Sequence, residues 1–251
     1  MTRQVAPGRL QNVASVFGEQ ASILGKEALA MPRAPKRAEV LLRHVLPQAN
    51  FALAGSPRVT RVCSDPHRCR PGDTFVPLLE ANVDGHDLAD LAVANGASLV
   101  VAEQYVPVSV PTVLVKDTRE ALGRLSHALV GDPSKALRSI AIAGSAGKTV
   151  MSMLLASVLE KAGRHVGVMS TLGYSDSITQ VEARVTTPKA PVLATWMSRM
   201  VENGCDDALI EVSAKSLAER RLAGAKFDGF IVHNLQAFPV QRVALAFSFR
   251  S

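Results

Sequence analysis

Two kinds of hydrophobic pattern succeed one another along the chain: short runs, alternating or continuously apolar, and longer runs with apolar residues at helical spacing. Ala38 to Leu46, A-E-V-L-L-R-H-V-L, predicts a short helix, and Val59 to Cys63 alternates like a strand. Pro71, Gly72 and Asp73 then form a turn signal before a strand over Thr74 to Leu78. A second turn, Asp84-Gly85-His86, leads into a helix from Leu88 to Asn95 with Leu88, Leu91 and Ala92 inward. Ser98 to Ala102 and Thr112 to Val115 read as strands, and Thr118 to Val130 as a helix with Leu122, Leu125 and Leu129 on one face. The alternation predicts a small α/β domain over residues 37–131. Gly131-Asp132-Pro133-Ser134 is its hinge. Residues 1–36 are weakly amphipathic and end in M-P-R-A-P-K-R, which reads as a mobile extension.

The second half opens on the run S-I-A-I-A-G-S-A-G-K-T-V-M-S-M-L-L from Ser139 to Leu155. Ile140 to Ala143 predicts a buried strand, Gly144 to Thr149 a glycine loop, and the following residues an apolar helix toward Leu159. His165 to Met169 is the next strand, and Thr171-Leu172-Gly173 a loop at its carboxyl end, where open α/β sheets bind ligands. Thr186-Thr187-Pro188 forms a turn before a helix over Val192 to Asn203, with Leu193, Met197, Met200 and Val201 buried. Ala208 to Val212 and Phe230 to Val232 complete a strand–helix alternation that predicts a parallel sheet covered by helices over residues 132–235.

Composition narrows this picture little. Of 251 residues 47% are hydrophobic and only 4% aromatic, so cores of Ala, Val and Leu are expected. The net charge of +6 is spread without a basic block interleaved with aromatics, which argues against nucleic acid and suits a solvated surface or anionic small molecules. No run approaches the roughly 18 apolar residues of a membrane helix, so no membrane insertion is expected. Three cysteines, Cys63, Cys69 and Cys205, without a signal-peptide pattern point to a reducing, cytoplasmic setting. The spacing Cys63-x3-His67-x-Cys69 lacks a fourth ligand for zinc.

The glycine loop carries the chemistry. Glycines at 144 and 147 let backbone N–H groups turn inward beside a helix N-terminus, a cradle for phosphate. Lys148 would reach the β- and γ-phosphates of a nucleotide and the Thr149 hydroxyl would hold Mg²⁺; the bland alternative is a strand–turn–helix with an exposed lysine. Glu211, near the end of a buried strand, is placed either to meet the metal or to be held by backbone N–H groups. Thr186 and Thr187 offer hydroxyls to the same rim or an ordinary N-cap. Arg220 and Arg221 fit an anion clamp or a solvated helix face. The histidines lack a relay spacing and read as structural or exposed.

Taken in order, A-G-S-A-G-K-T, S-T-L-G-Y (170–174), T-T-P (186–188), E-V-S-A-K-S-L (211–217), R-L-A-G-A-K-F (221–227) and H-N-L (233–235) resemble the Mur ligases of the MurE type. Upstream, S-D-P-H-R-C-R-P-G-D-T-F-V and V-D-G-H resemble that family's UDP-binding domain. The resemblance implies ATP-dependent addition of an amino acid to UDP-N-acetylmuramoyl-dipeptide through an acyl phosphate, in peptidoglycan synthesis. It places Gly144, Ser145, Ala146, Gly147, Lys148 and Thr149 on ATP, with Lys148 catalytic. Thr149 and Glu211 fall on Mg²⁺, and Thr186, Thr187, Ser213, Glu219 and Arg221 on the muramoyl-dipeptide.

The departures bear on activity. Asp65-Pro66-His67 stands for the family's D-S-R, Ala146 for asparagine, Val150 for threonine, Val185 for asparagine, Lys215 for histidine and Glu219 for glutamine. The resemblance stops at Leu235, and residues 236–251 resemble none of the aspartate–histidine motif, the carbamylated lysine or the C-terminal domain that follow in the family. The expectation is therefore a truncated or degenerate relative that does not ligate by itself. The competing reading is an inactive paralogue that keeps nucleotide or UDP-sugar binding.

Overall fold

The computed structural model describes residues 38–51, 57–80, 83–234 and 248–249. The extension over 1–36, and the tail over 236–251 apart from Ser248 and Phe249, lie outside the described residues. No helix among the described residues is long and apolar enough to cross a membrane.

The first segment differs from its pattern. Val40–Leu41 (β1) pairs antiparallel with Arg58–Val59 (β2), and only Leu42–Val45 (α1) is helical. The run from Val59 to Cys63 does not stay in one sheet. β2 pairs with β1, while Val62–Cys63 (β3) starts a parallel four-stranded sheet with Asp73–Phe75 (β4), Ala97–Ala102 (β5) and Thr112–Leu114 (β6), in the order β3-β4-β5-β6. A 3₁₀ turn over Gly85–Leu88 precedes Ala89–Ala94 (α2), whose Ala89 and Ala92 are buried while Leu88 and Leu91 are half-buried. Thr118–Leu129 (α3) turns Leu122, Leu125 and Leu129 into a core with Leu42, Val76, Leu99, Val101 and Val113. Asp117 caps it, its side chain accepting from Glu120 N–H.

After a left-handed Asp132, the chain enters a six-stranded sheet. Its members are Arg138–Gly144 (β7), Val166–Met169 (β8), Tyr174–Ser175 (β9), Gln180–Val181 (β10), Asp207–Val212 (β11) and Gly229–His233 (β13), ordered β10-β9-β8-β11-β7-β13. β8, β11, β7 and β13 run parallel, and β9 and β10 add an antiparallel hairpin at one side. The period of two splits β7 between two cores. Ile140 and Ile142 face Lys148–Lys161 (α4) together with Val166 and Leu209. Ala141 and Ala143 face Ala190–Glu202 (α5), whose Leu193, Trp196, Met197 and Met200 are buried. Small side chains on the second side leave room for the bulky ones of α5. Lys226–Phe227 (β12) pairs with Ser248–Phe249 (β14) outside these sheets. α4 is apolar on both sides: Met151, Leu155 and Leu159 pack on the sheet, while Val150, Leu154 and Val158 form an exposed stripe at i, i+4 and i+8.

α3 carries one buried polar group that finds no partner. His127 is fully buried, and neither ring nitrogen has a hydrogen-bond partner among the described residues. Burial pushes its pKa down from 6.5 to about 4, against a smaller upward pull from Asp132. The unfolded chain therefore binds a proton that the folded one refuses, so this contribution to stability is present above 6.5 and is lost as pH falls toward 4. Denaturant unfolding should show a loss of about 2 kcal/mol from this group between about pH 7 and pH 5. His127→Leu should flatten that slope; an unchanged slope would show that the imidazole is not the origin.

Candidate functional site

β7 ends in Gly144, and α4 begins at Lys148 with Gly147 as its N-cap. Gly147 has φ 78° and Gly144 φ 152°, both in the region that favours glycine. Space demands glycine as well as angle. A Cβ on Gly144 would lie 1.8 Å from the carbonyl oxygen of His233, and one on Gly147 2.6 Å from the His233 ring. The far side of the loop is thus built by the end of β13. Asn234 O accepts from Ser145 Oγ (3.2 Å) and Ser145 N–H (3.4 Å).

The start of α4 is open. Gly147 supplies no side-chain cap, the first turn has no acidic residue, and Ser145, Ala146 and Gly147 are exposed. Unsatisfied N–H groups and the positive end of a 14-residue helix therefore face solvent. Lys148 Nζ donates to Gly144 O at 2.9 Å, holding its ammonium over the same loop.

Beneath the loop lies Glu211 of β11, fully buried. Its carboxylate accepts from Ser152 Oγ (2.9 Å), Thr149 Oγ1 (3.2 Å) and Thr171 Oγ1 (3.2 Å). The expected alternative, a strand-end carboxylate held by backbone N–H groups, gives way to three hydroxyl donors. Thr171 Oγ1 also lies 3.1 Å from Thr186 Oγ1, so a line of oxygens runs from α4 to the 186–188 turn. Thr187 Oγ1 donates to the Glu211 backbone O at 2.7 Å, tying that turn to the same strand.

Thr186 and Thr187 do not cap α5. The N-cap is Lys189, with Ala190 and Pro191 as the first helical residues, so the threonine hydroxyls are used toward the sheet. Arg221 is not on a solvated helix face. Its Nη1 donates to Thr187 O at 2.6 Å and its Nη2 pairs with Glu219 at 2.6 Å. Arg220, left-handed at φ 49°, turns away to Asp117 and Glu120 on α3. Ser213 caps Ala214–Ala218 (α6) in a capping box with Ser216. Sequence reasoning put Thr171 in a ligand-binding loop without singling out its side chain, read His233 as structural or exposed and gave Ser152 no role; the structure brings all three to this centre. The signals were present: Ser152 sits one helical turn beyond Thr149, and Thr171 follows a strand end.

A cleft adjoins the four-stranded sheet. Ser64, Asp65, Pro66, His67, Leu78, Glu80, Val83, Gly85, Leu88 and Lys189 line a cleft of about 520 Å³. Lys189 crosses it to Glu80 at 2.6 Å, which holds the Glu80 carboxyl below its ordinary value. Asp65 and Asp84 each cap a 3₁₀ turn at its wall, accepting from His67 and His86 N–H.

A parallel sheet with helices on both faces, and a strand–glycine loop–helix unit at its carboxyl edge, is the arrangement of P-loop α/β proteins. The comparisons are more specific. A sequence profile described as the Mur ligase middle domain matches residues 142–237. The UDP-N-acetylmuramoyl-L-alanyl-D-glutamate–2,6-diaminopimelate ligase of Parabacteroides distasonis is 39% identical over 181 residues, 70% of this chain and 37% of its own. The enzyme of that name from Bacillus licheniformis is 35% identical over 188 residues, 75% of this chain and 38% of its own. A solved ligase of the same name superposes with TM-score 0.62 at 23% identity, over 83% of this chain and 44% of that one. MurF from Acinetobacter baumannii gives TM-score 0.54 at 18% identity, over 84% and 46%. Residues 142–237 match the Mur ligase middle domain, and the chain's homologues are ligases of the MurE type. The chain spans under two fifths of the length of those two relatives.

Glu211→Ala would leave three hydroxyls without their acceptor and open a cavity, and is expected to cost about 2–4 kcal/mol in urea unfolding. Glu211→Gln, which keeps shape and an acceptor oxygen, should cost markedly less. Equal costs would mean that the hydroxyl network contributes nothing.

Proposed function

We propose that this chain carries the ATP-handling and UDP-sugar-handling parts of a MurE-type reaction, the ATP-dependent joining of an amino acid to UDP-N-acetylmuramoyl-dipeptide in the cytoplasm. The observation that supports it most is the hydroxyl–carboxylate line Ser152–Glu211–Thr171–Thr186 beneath an uncapped helix N-terminus and Lys148. ATP supplies the γ-phosphoryl group that makes a carboxylate reactive toward an amine. The residues fit such a ligand: the glycine cradle leaves no room for a Cβ, and its open N–H groups suit phosphate.

Gly144, Ser145, Ala146 and Gly147 present backbone to the phosphates, while Lys148 exchanges its contact with Gly144 O for phosphate oxygen. Thr149 and Glu211 offer hard oxygen donors, the kind Mg²⁺ takes. Thr186, Thr187, Ser213 and Arg221 surround the approach of the muramoyl-dipeptide. Arg221, held by Thr187 O, orients its guanidinium, and Glu219 must yield its pairing for an anionic substrate to bind. We assign residues 37–131 to the UDP-sugar and 132–235 to ATP; the glycine loop lies in the second span, and all of the cleft's lining but Lys189 lies in the first.

Titration with Mg-ATP tests the reading. At a hundredfold excess over Kd, binding should stabilise the chain by about 2.7 kcal/mol, read as a thermal shift. Lys148→Ala should weaken binding at least about tenfold, or about 1.4 kcal/mol. Absence of any shift would overturn the nucleotide role. Binding without formation of UDP-muramoyl-tripeptide would restrict the chain to a nucleotide-binding role.

A further inference from the structure

Cys63 and Cys69 stand on the two sides of the loop that walls the 520 Å³ cleft. The 3₁₀ turn over Pro66–Arg68 folds the chain back, so residues six apart in sequence come together. Both thiols converge on one acceptor, the Asp65 carbonyl oxygen, Cys63 Sγ at 3.0 Å and Cys69 Sγ at 3.7 Å. The two sulfurs and an Asp73 carboxylate oxygen lie within 4.8 Å of one another. His67, which shares the sequence spacing, is not part of this group.

The group is ill suited to a metal. The Asp73 carboxylate is already taken by the Arg61 guanidinium through both oxygens and by Arg70 N–H at 2.9 Å. A cation would have to displace a fork that is almost fully buried on the aspartate side. Subtracting Asp73 leaves two thiols, too few for a zinc site, but the complement of a disulfide.

The geometry points to a modification site: we propose that Cys63 and Cys69 form a dithiol that closes to an intramolecular disulfide by exchange with a small-molecule disulfide. Cys63, half-buried, is the thiol a reagent reaches; Cys69, 7% exposed, is the one that resolves. The Cys63 thiolate attacks one sulfur of the reagent, forming a mixed disulfide and releasing one thiol. Cys69 then loses its proton to solvent and attacks the Cys63 sulfur, releasing the second thiol. Two protein thiols are oxidised and one reagent disulfide is reduced. The order agrees with the burial of Cys69, which, together with its hydrogen bond to Cys63, pushes its thiol up to about 12.

Closure removes both S–H donors from Asp65 O and staples the Ser64–Arg68 loop from its base, while Asp65 still caps the turn. The cleft wall is then rigid in the oxidised form and free to adjust in the reduced one. The chemistry is independent of whether the cleft takes a UDP-sugar, so its failure and the failure of the ligase reading are separable.

The full chain is equilibrated anaerobically in buffers of varied ratio of oxidised to reduced glutathione, quenched in acid, alkylated under denaturing conditions and digested with trypsin without reduction. Cleavage after Arg61 and Arg68 separates the two cysteines, so a disulfide is read as joined peptides. The expected result is three alkylated cysteines in reducing buffer. In oxidising buffer only Cys205 is alkylated and the Cys63 and Cys69 peptides are joined. Hydrogen exchange over residues 64–68 should slow severalfold in the joined form. Cys69→Ser should instead accumulate glutathione on Cys63. Alkylation of both cysteines at every ratio, or stable glutathione on Cys63 in the unsubstituted chain, would overturn the proposal. So would protection that requires added zinc chloride and disappears with a chelator.

Discussion

A buried carboxylate held by hydroxyls, with no cationic partner among the described residues, organises the second half of this molecule. Glu211 is fully buried, and its side-chain hydrogen bonds come from the hydroxyls of Thr149, Ser152 and Thr171. Taking an ionised group out of water costs several kcal/mol unless oriented dipoles replace the solvent. The start of α4 and the loop after β8 are therefore both drawn to β11, and the glycine loop is fixed above the acid. The buried acid below and the positive helix end above define a polarised slot.

The same strand offers the contrast. Asp207, at the other end of β11 and equally buried, is held by two guanidinium groups, Arg138 at 2.5 Å and Arg164. Asp176 is likewise matched by Arg199 at 2.6 Å. Asp207 and Asp176 are neutralised by arginine, and among the described residues Glu211 pairs with no cation. Two acids on one strand are thus held in two ways, one by guanidinium groups and one by hydroxyls.

The frame of the fold was legible because the parallel strands are short continuous apolar runs between turn residues. Ile140 to Ala143 and Ala208 to Val212 are the plainest cases, and the strands observed there extend them by only a residue or two. The misreadings have physical causes. Ala38 to Leu46 has helical spacing, but pairing with β2 converts Val40–Leu41 to strand. Val59 to Cys63 alternates evenly and gives no hint that its two ends join different sheets. The β9–β10 hairpin lies in S-D-S-I-T-Q, where polar residues conceal strand propensity and Asp176 organises the turn by accepting from Ile178 and Thr179 N–H. At the site, Lys148, Thr149 and Glu211 were readable from a motif and a strand end. Ser152 and Thr171 carry hydroxyls too common to single out. His233 matters through its shape and backbone against Gly144 and Gly147, which only tertiary structure reveals.

The glycine loop has two authors, β7 with α4 on one side and the end of β13 on the other. Ser145 meets Asn234 across a sequence separation of 89 residues. Closing a contact of such range costs loop-closure entropy, a cost that grows only slowly with the length of chain enclosed. The cradle is complete only when β13 lies beside β7. An anion bound there would favour the fully assembled sheet, so the ligand would act as a clasp on the strand of this sheet most distant in sequence from the loop itself.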